Sequence, residues 1–287
     1  MPVPLLLVLT AAGFGAAPLL ITLSVQHFPP FTLGALRAVL GLPLLAVAAV
    51  LLATRRRYAA SDLMTALVGG VLVIAVPFVT MAAGMQYIPS GLGGMLYATM
   101  PLFTLGLAAV ALRDEPVSRA QVIRIALGLA GVVLIAGPAL VADGMGQAGW
   151  GTLLTLLSPL SYAAGNVWFR RRAPLPPLVL SAAMFAVGAV LMLPAAWLID
   201  GVRALPAAPS VWVLLAALVV LATVAPALLN YMLVRRAGAN RAALVMFLMP
   251  GFAVLFGWAF RGETLPWLSF AGLAIVIAVS LPTRRKP

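Results

Sequence analysis

Four prolines, one arginine and a small set of aromatic, methionine and amide side chains are the residues of this chain that could handle a ligand. Pro77, Pro101, Pro226 and Pro250 each fall near the middle of a long apolar run. A proline inside a helix lacks the N–H that would bond four residues back, so it frees a carbonyl. Here those carbonyls belong to Val73, Tyr97, Ala222 and Met246. Beside a cavity they could accept a hydrogen bond from a substrate ammonium, and the bends could serve as hinges. Helices in lipid also carry proline for shape alone. Arg37 is the only basic residue well inside an apolar run. It could hold a carboxylate with its forked guanidinium. It also lies about 7–8 Å off the centre of its run at the helical rise, so it could reach the outer surface, and that structural use is the expectation.

Asn166 and Asn230 are costly in lipid unless satisfied, which favours inward-facing positions. With Phe14, Phe78, Met81, Tyr97, Tyr162 and Met246 they would form an apolar cavity with a few amides, suited to bulky neutral side chains. Any one of these aromatic or Met residues could equally serve helix packing. The acidic residues narrow the chemistry further. Asp62, Asp114, Glu115, Asp143, Asp200 and Glu263 sit at the ends of apolar runs or between them, whereas a proton relay keeps a carboxylate or histidine inside the membrane. Transport without an obligatory proton is therefore expected, with Glu115 and Glu263 capping helices or pairing with nearby arginines. An intramembrane enzyme would need a nucleophile and base, or a metal site. Ser158 and Ser161 have no histidine near them in sequence, the single histidine is His27 in a turn, and there are no cysteines. No catalytic residue, metal or cofactor is expected.

The elements that must position these residues follow from composition. Of 287 residues, 64% are apolar and 8% charged, against about 25% charged in an ordinary soluble domain. Such a chain cannot cover a water-facing surface, which excludes a soluble enzyme or a nucleic-acid-binding module. Proline, glycine and charge punctuation gives ten apolar runs: 4–25, 31–53, 63–86, 91–112, 119–139, 148–169, 177–199, 210–234, 240–260 and 265–282. Each is long enough to cross a bilayer, and only turns lie between them. The first run lacks a basic segment before it and is too long for a typical cleaved signal, so it reads as a retained span.

The net charge of +12 lies in clusters between the runs. Alternate connections hold Arg55, Arg56, Arg57, Arg113, Arg119, Arg124, Arg170, Arg171, Arg172, Arg235, Arg236 and Arg241, and the tail adds Arg284, Arg285 and Lys286; the opposite side has only Arg203 and Arg261. The bias predicts that both termini are cytoplasmic and that the basic side meets anionic lipid headgroups. Trp150, Trp197, Trp212, Trp258 and Trp267 near outer ends, and Trp168 near an inner one, fit an interfacial belt.

Met95 to Glu115 (MLYATMPLFTLGLAAVALRDE) matches Leu244 to Glu263 (LVMFLMPGFAVLFGWAFRGE) in a mid-run Met-Pro and a closing Arg-x-Glu turn. Pro77 and Pro226 precede Pro101 and Pro250 by the same 24 residues, so both pairs share one offset of 149. At about that offset Phe14 matches Tyr162, Met81 matches Asn230 and Tyr97 matches Met246. The chain divides into two five-helix halves, 1–143 and 144–287, within one membrane domain. An odd number of spans per half inverts the second, an arrangement found in secondary transporters.

Ten short-looped spans in a 5+5 duplication, with these prolines and Glu turns, resemble the drug/metabolite transporter superfamily in its EamA branch, and within it the exporters of aromatic and other neutral amino acids. The resemblance implies a ten-helix basket with a central cavity lined by spans 1, 3, 4, 6, 8 and 9, exporting metabolites across the bacterial inner membrane. The chain has Phe14 where the family often carries Trp in the first span; an Arg in the second span is also frequent there. The expected activity is export of neutral, aromatic or other apolar amino acids by alternating access, by a monomer with no soluble domain. A broad drug or metabolite exporter is the alternative, ahead of an intramembrane enzyme or a non-transporting scaffold.

Overall fold

The computed structural model describes residues 1–52, 60–111, 119–143, 146–170, 175–201 and 206–281. Expectations resting on Arg55, Arg56, Arg57, Arg113, Asp114, Glu115, Arg171, Arg172, Arg203, Arg284, Arg285 and Lys286 lie outside the described residues. Ten helical segments follow one another among those described: α1 (Val3–Ser24), α2 (Pro30–Leu52), α3 (Ser61–Gly84), α4 (Ser90–Ala111), α5 (Arg119–Asp143), α6 (Gln147–Phe169), α7 (Pro177–Asp200), α8 (Pro209–Ala237), α9 (Val245–Arg261) and α10 (Trp267–Ser280). A short helical turn, Ala239–Ala242, precedes α9. These segments coincide with the ten apolar runs to within a few residues. The exceptions are α5, which continues through Pro138 to Asp143, and α9, whose long part begins only after a turn at 243–244.

Seven of the segments are long and apolar enough to cross a membrane, and α9 and α10 are shorter apolar helices. The remaining one, α6, runs for 23 residues and carries more polar side chains. The polarity is that of a lipid-embedded protein. Val50, Val110, Val141 and Phe260 are largely exposed, while Thr10, Thr155, Ser158 and Thr223 are buried. Two buried threonine hydroxyls bond back into their own helix, Thr10 to the Leu6 carbonyl at 2.6 Å and Thr155 to that of Gly151 at 2.8 Å, a common use of an isolated hydroxyl in an apolar interior. The chain is an all-α polytopic membrane protein.

Packing falls into a regular scheme. α1 lies against α8 and α9, while α6 lies against α3 and α4; α2 pairs with α7, α4 with α9, and α5 with α10. The main core runs through the facing sides of α2, α3, α4, α7 and α8. At one end of the bundle, Arg236 donates to the Met1 carbonyl at 2.7 Å and Tyr231 to that of Leu52 at 3.3 Å. Arg124 donates to the last carbonyls of α10, those of Val279 (2.8 Å from Nε) and Leu281 (2.6 Å from Nη2). A cation at a helix C-terminus is favoured by the exposed carbonyls and their summed dipole. At the opposite end Asp200 accepts from the Thr32 amide and hydroxyl, both at 2.7 Å, and so caps α2.

The α5–α10 contact depends on two glycines. A Cβ added to Gly272 would stand 2.5 Å from the Gly131 carbonyl oxygen and 2.8 Å from the Ile135 nitrogen. Gly272→Leu is therefore expected to lower the apparent melting temperature of the detergent-solubilised protein by a few degrees, in line with the ~1–3 kcal/mol of an overpacked contact. Gly106→Ala, where a Cβ meets nothing within 4 Å, is expected to leave it unchanged or slightly raised.

Candidate functional site

The paired prolines act on the helices that carry them. In α3 the segment Gly70–Ala75 is a widened, π-type turn, and the Val76 N–H reaches five residues back to the Val71 carbonyl just before Pro77. In α8 the segment Val220–Val224 does the same, with the Ala225 N–H on the Val220 carbonyl just before Pro226. α4 and α9 tighten instead. Ala98 bonds to the Met95 carbonyl ahead of Pro101, and Phe247 to that of Leu244 ahead of Pro250, both at 3.1 Å and three residues back. In α4 the helix is interrupted there, whereas α9 continues unbroken through Pro250 itself. Carbonyls displaced at the wide turns find hydroxyls: Ser161 of α6 donates to Leu72 at 2.7 Å, and Thr223 to Leu218 at 2.9 Å.

Between these two wide turns lies Arg37. Only 4% exposed, it sets its guanidinium carbon 3.9 Å from the centroid of the Phe78 ring, a cation–π distance. Its Nη2 donates to the Thr223 hydroxyl at 3.3 Å, and its Nε, also buried, has no partner. Phe78 in turn meets Phe185 of α7 edge-on at 5.8 Å. Tyr97, at the tightened turn of α4, meets Tyr162 of α6 edge-on at 5.5 Å. Both tyrosines are close enough to Arg37 to interact with it electrostatically.

The outward-reaching Arg37 of the sequence reading is thus corrected: the side chain turns into the bundle. The reason is steric. Gly34 and Gly41, three residues before and four after, put bare backbone on the same face of α2. α7 seats Met192 and Phe185 against them, so that face is buried in protein and not turned to lipid. The Gly34–Arg37–Gly41 spacing was the available signal. Thr223, which lies within the second wide turn and receives Arg37, is not among the residues expected from the sequence.

Of the expected cavity residues, the structure brings Phe78 to Arg37 and Tyr97 to Tyr162. Met81 is buried in the same core as Phe78. Asn166 of α6 is half-buried and turns its Nδ2 toward the Met100 sulfur at 3.9 Å. Phe14 is elsewhere, in a separate small core with Leu229 and Phe252 between α1, α8 and α9. Asn230 and Met246 are half-buried on α8 and α9.

Glu263 organises the end of the bundle opposite Met1. α9 finishes with Gly262 in the left-handed region (φ +63°), its N–H on the Trp258 carbonyl at 2.9 Å and the Glu263 N–H on that of Gly257 at 3.2 Å. Glycine meets no Cβ penalty in that conformation, and the doubly bonded turn swings Glu263 back over α4. There its carboxylate accepts from the Ser90 amide (3.0 Å), the Ser90 hydroxyl (2.9 Å) and the Gly91 amide (2.9 Å), with Arg261 Nε 3.3 Å away. Glu263 both caps a helix and pairs with its neighbouring arginine, and the capped helix belongs to the first half of the chain. A recess of about 490 Å³ beside it is lined by Thr22, Gln26, Tyr87, Arg261 and Glu263, among others.

Two stretches of this chain, residues 1–137 and 149–281, match the EamA-like transporter family. The chain is 30% identical over 280 residues to the uncharacterized inner membrane transporter YedA of Escherichia coli (strain K12), covering 95% of this chain and 88% of that one. It is 25% identical over 274 residues to an uncharacterized transporter of Archaeoglobus fulgidus, covering 95% of each. A crystal structure of another protein superposes with a TM-score of 0.63 at 20% identity, over 96% of this chain and 94% of that one, a likeness of fold.

Glu263→Ala removes the α4 cap and leaves the Ser90 and Gly91 amides unsatisfied. It is expected to destabilise the purified protein by about 1–2 kcal/mol, read as a lower melting temperature, while Glu263→Gln, which keeps one acceptor oxygen, recovers part of the loss. Differential scanning fluorimetry of the three proteins in one detergent measures this.

Proposed function

From the premise that the chain belongs to the EamA-like transporter family, we propose that it exports neutral amino acids with aromatic or other apolar side chains. On this reading it sits in the bacterial inner membrane, consistent with the printed name of its E. coli relative, and works by alternating access. The observation that carries the proposal is the cluster of Phe78, Tyr97 and Tyr162 held between interrupted helices at mid-span. Aromatic walls accept bulky apolar side chains with loose specificity, and the irregular turns before Pro77, Pro101, Pro226 and Pro250 give the helices places to bend.

The halves 1–143 and 144–287 are read as an inverted repeat. The two family matches support it. So do the wide turns before Pro77 and Pro226 and the tight turns before Pro101 and Pro250, each pair 149 residues apart. The packing is likewise reciprocal, α1 on α8 and α9 and α6 on α3 and α4. The protein acts as a monomer, its basic ends on anionic headgroups. No carboxylate or histidine lies in mid-span in the sequence, so export runs down the substrate gradient without an obligatory proton.

Counterflow of labelled phenylalanine, methionine and threonine into proteoliposomes, with and without a pH gradient, tests this. Selective uptake indifferent to the gradient is expected. Acceleration by the gradient would overturn the uncoupled mechanism, and no flux of any of the three would favour a broad metabolite exporter. Orientation is separately measurable, because the chain has no cysteine of its own. In intact cells an impermeant thiol reagent is expected to label Gln26→Cys, exposed between α1 and α2, and to spare Ser61→Cys, exposed at the start of α3.

A further inference from the structure

We infer that Arg37 is the anion-binding residue of this transporter, the group that takes a substrate's carboxylate; the inference rests on the transport reading above and narrows its substrate class. The guanidinium carries five N–H donors in a fixed fork. Its Nη2 has one acceptor, the Thr223 hydroxyl at the long distance of 3.3 Å, and its buried Nε has none. Of the acidic residues whose side chains are described, Asp200 and Glu263 are engaged at the end of the bundle opposite Met1, on α2 and α4, and Asp62 sits in the first turn of α3. Among the described residues the cation is therefore buried in mid-bundle with no carboxylate beside it, an arrangement that charges inside a membrane protein otherwise avoid by pairing.

What surrounds it specifies the ligand. The Phe78 ring covers one face of the guanidinium at 3.9 Å. Tyr97 and Tyr162 add two further rings nearby. A single fixed positive charge among aromatic walls matches a monocarboxylate with an apolar or aromatic body, the fork gripping both carboxylate oxygens and the rings taking the rest. A dianion such as a phosphate ester would be left with charge uncompensated. Arg37 also touches both wide turns, reaching Thr223 within Val220–Val224 and lying over Phe78 just past Gly70–Ala75. A carboxylate on the fork would compete with Thr223 for Nη2, so binding there would act on the interrupted part of α8 directly.

The experiment titrates the purified full-length protein with 3-phenylpropionate and with 3-phenylpropanamide, which has the same shape and no charge, following thermal stabilisation and intrinsic fluorescence. Wild type is expected to bind the acid at least about tenfold more tightly than the amide, the contribution of a charge-assisted hydrogen bond. Arg37→Gln is expected to abolish the difference, and Arg37→Lys, which keeps the charge without the fork, to keep part of it. Equal responses of wild type to acid and amide, or no response to either, overturn the inference whatever the variants do. So does a folded Arg37→Gln protein that still prefers the acid. Should Arg37→Gln not remain monodisperse, the wild-type pair together with Arg37→Lys decides it, an unaltered acid preference in Arg37→Lys telling against the fork. The two readings separate cleanly. Acid preference without phenylalanine counterflow keeps this inference and removes the amino-acid substrate, and counterflow without acid preference does the reverse.

Discussion

In lipid, every backbone polar group must find its partner within the protein. This constraint governs several places where the helices of this molecule depart from regularity. α3 and α8 each widen by a turn before a proline, and at each widening a hydroxyl meets a displaced carbonyl: Ser161 on Leu72, Thr223 on Leu218. The first turn of α4 would leave amides bare at the bundle end, and Glu263 meets two of them. Asp200 does the same for α2. Serine, threonine and two carboxylates thus make a helix bundle with interrupted spans possible. Their positions follow the interruptions and not the apolar pattern of their own helices.

Among the described residues with a buried side-chain atom left unpartnered, Arg37 is the charged one. An arginine inside a membrane-spanning helix is costly to insert, by up to about 2.5–3.5 kcal/mol at the helix centre on the milder scales, and burial in protein does not remove that cost without a partner. A ring and a distant hydroxyl compensate in part. Glycines at 34 and 41 hold the arginine inward by letting α7 close over the same face. A residue whose only role was to reach the membrane surface would need neither glycine. The geometry spends packing on keeping a cation inside, which gives Arg37 a meaning beyond anchoring α2.

The ten runs were legible because length and apolarity alone decide what can span a bilayer, and nearly every boundary fell within a few residues of proline or charge punctuation. The proline pairs were legible too, although not what they do. A freed carbonyl four residues back follows from the missing N–H, but the chain absorbed the loss by a five-residue turn in α3 and α8 and by a three-residue turn in α4 and α9. Tyr97 and Tyr162 were chosen as aromatic residues on inner spans, and they meet. Phe14, chosen on the same ground, faces a different core, because membership of an inner helix does not fix which way a residue points. Glu263 was read as a cap or an ion-pair partner; that the capped helix is α4 depends on how α9 crosses it, which no local pattern contains. Distance from the surface does not by itself fix where Arg37 points; the two glycines beside it, with Met192 and Phe185 seated on them, do.

The partners that satisfy the interruptions come mostly from the other half of the chain. Ser161 on α6 serves α3, Glu263 after α9 serves α4, and Arg37 on α2 reaches the wide turn of α8. Regular helix is self-sufficient and can move as a rigid rod, whereas an interrupted helix is tied to whatever supplies its missing partners. If the two halves exchange conformations during transport, the contacts that must break and re-form are these cross-half hydrogen bonds and not the apolar helix faces. Apolar faces slide against lipid and each other at little cost; a buried carbonyl or amide that loses its partner does not. The bundle therefore has a small number of discrete polar contacts at which two arrangements can differ. The Arg37–Thr223 contact, at 3.3 Å, is longer than the Ser161–Leu72 and Glu263–Gly91 contacts, and so easier for a competing anion to displace.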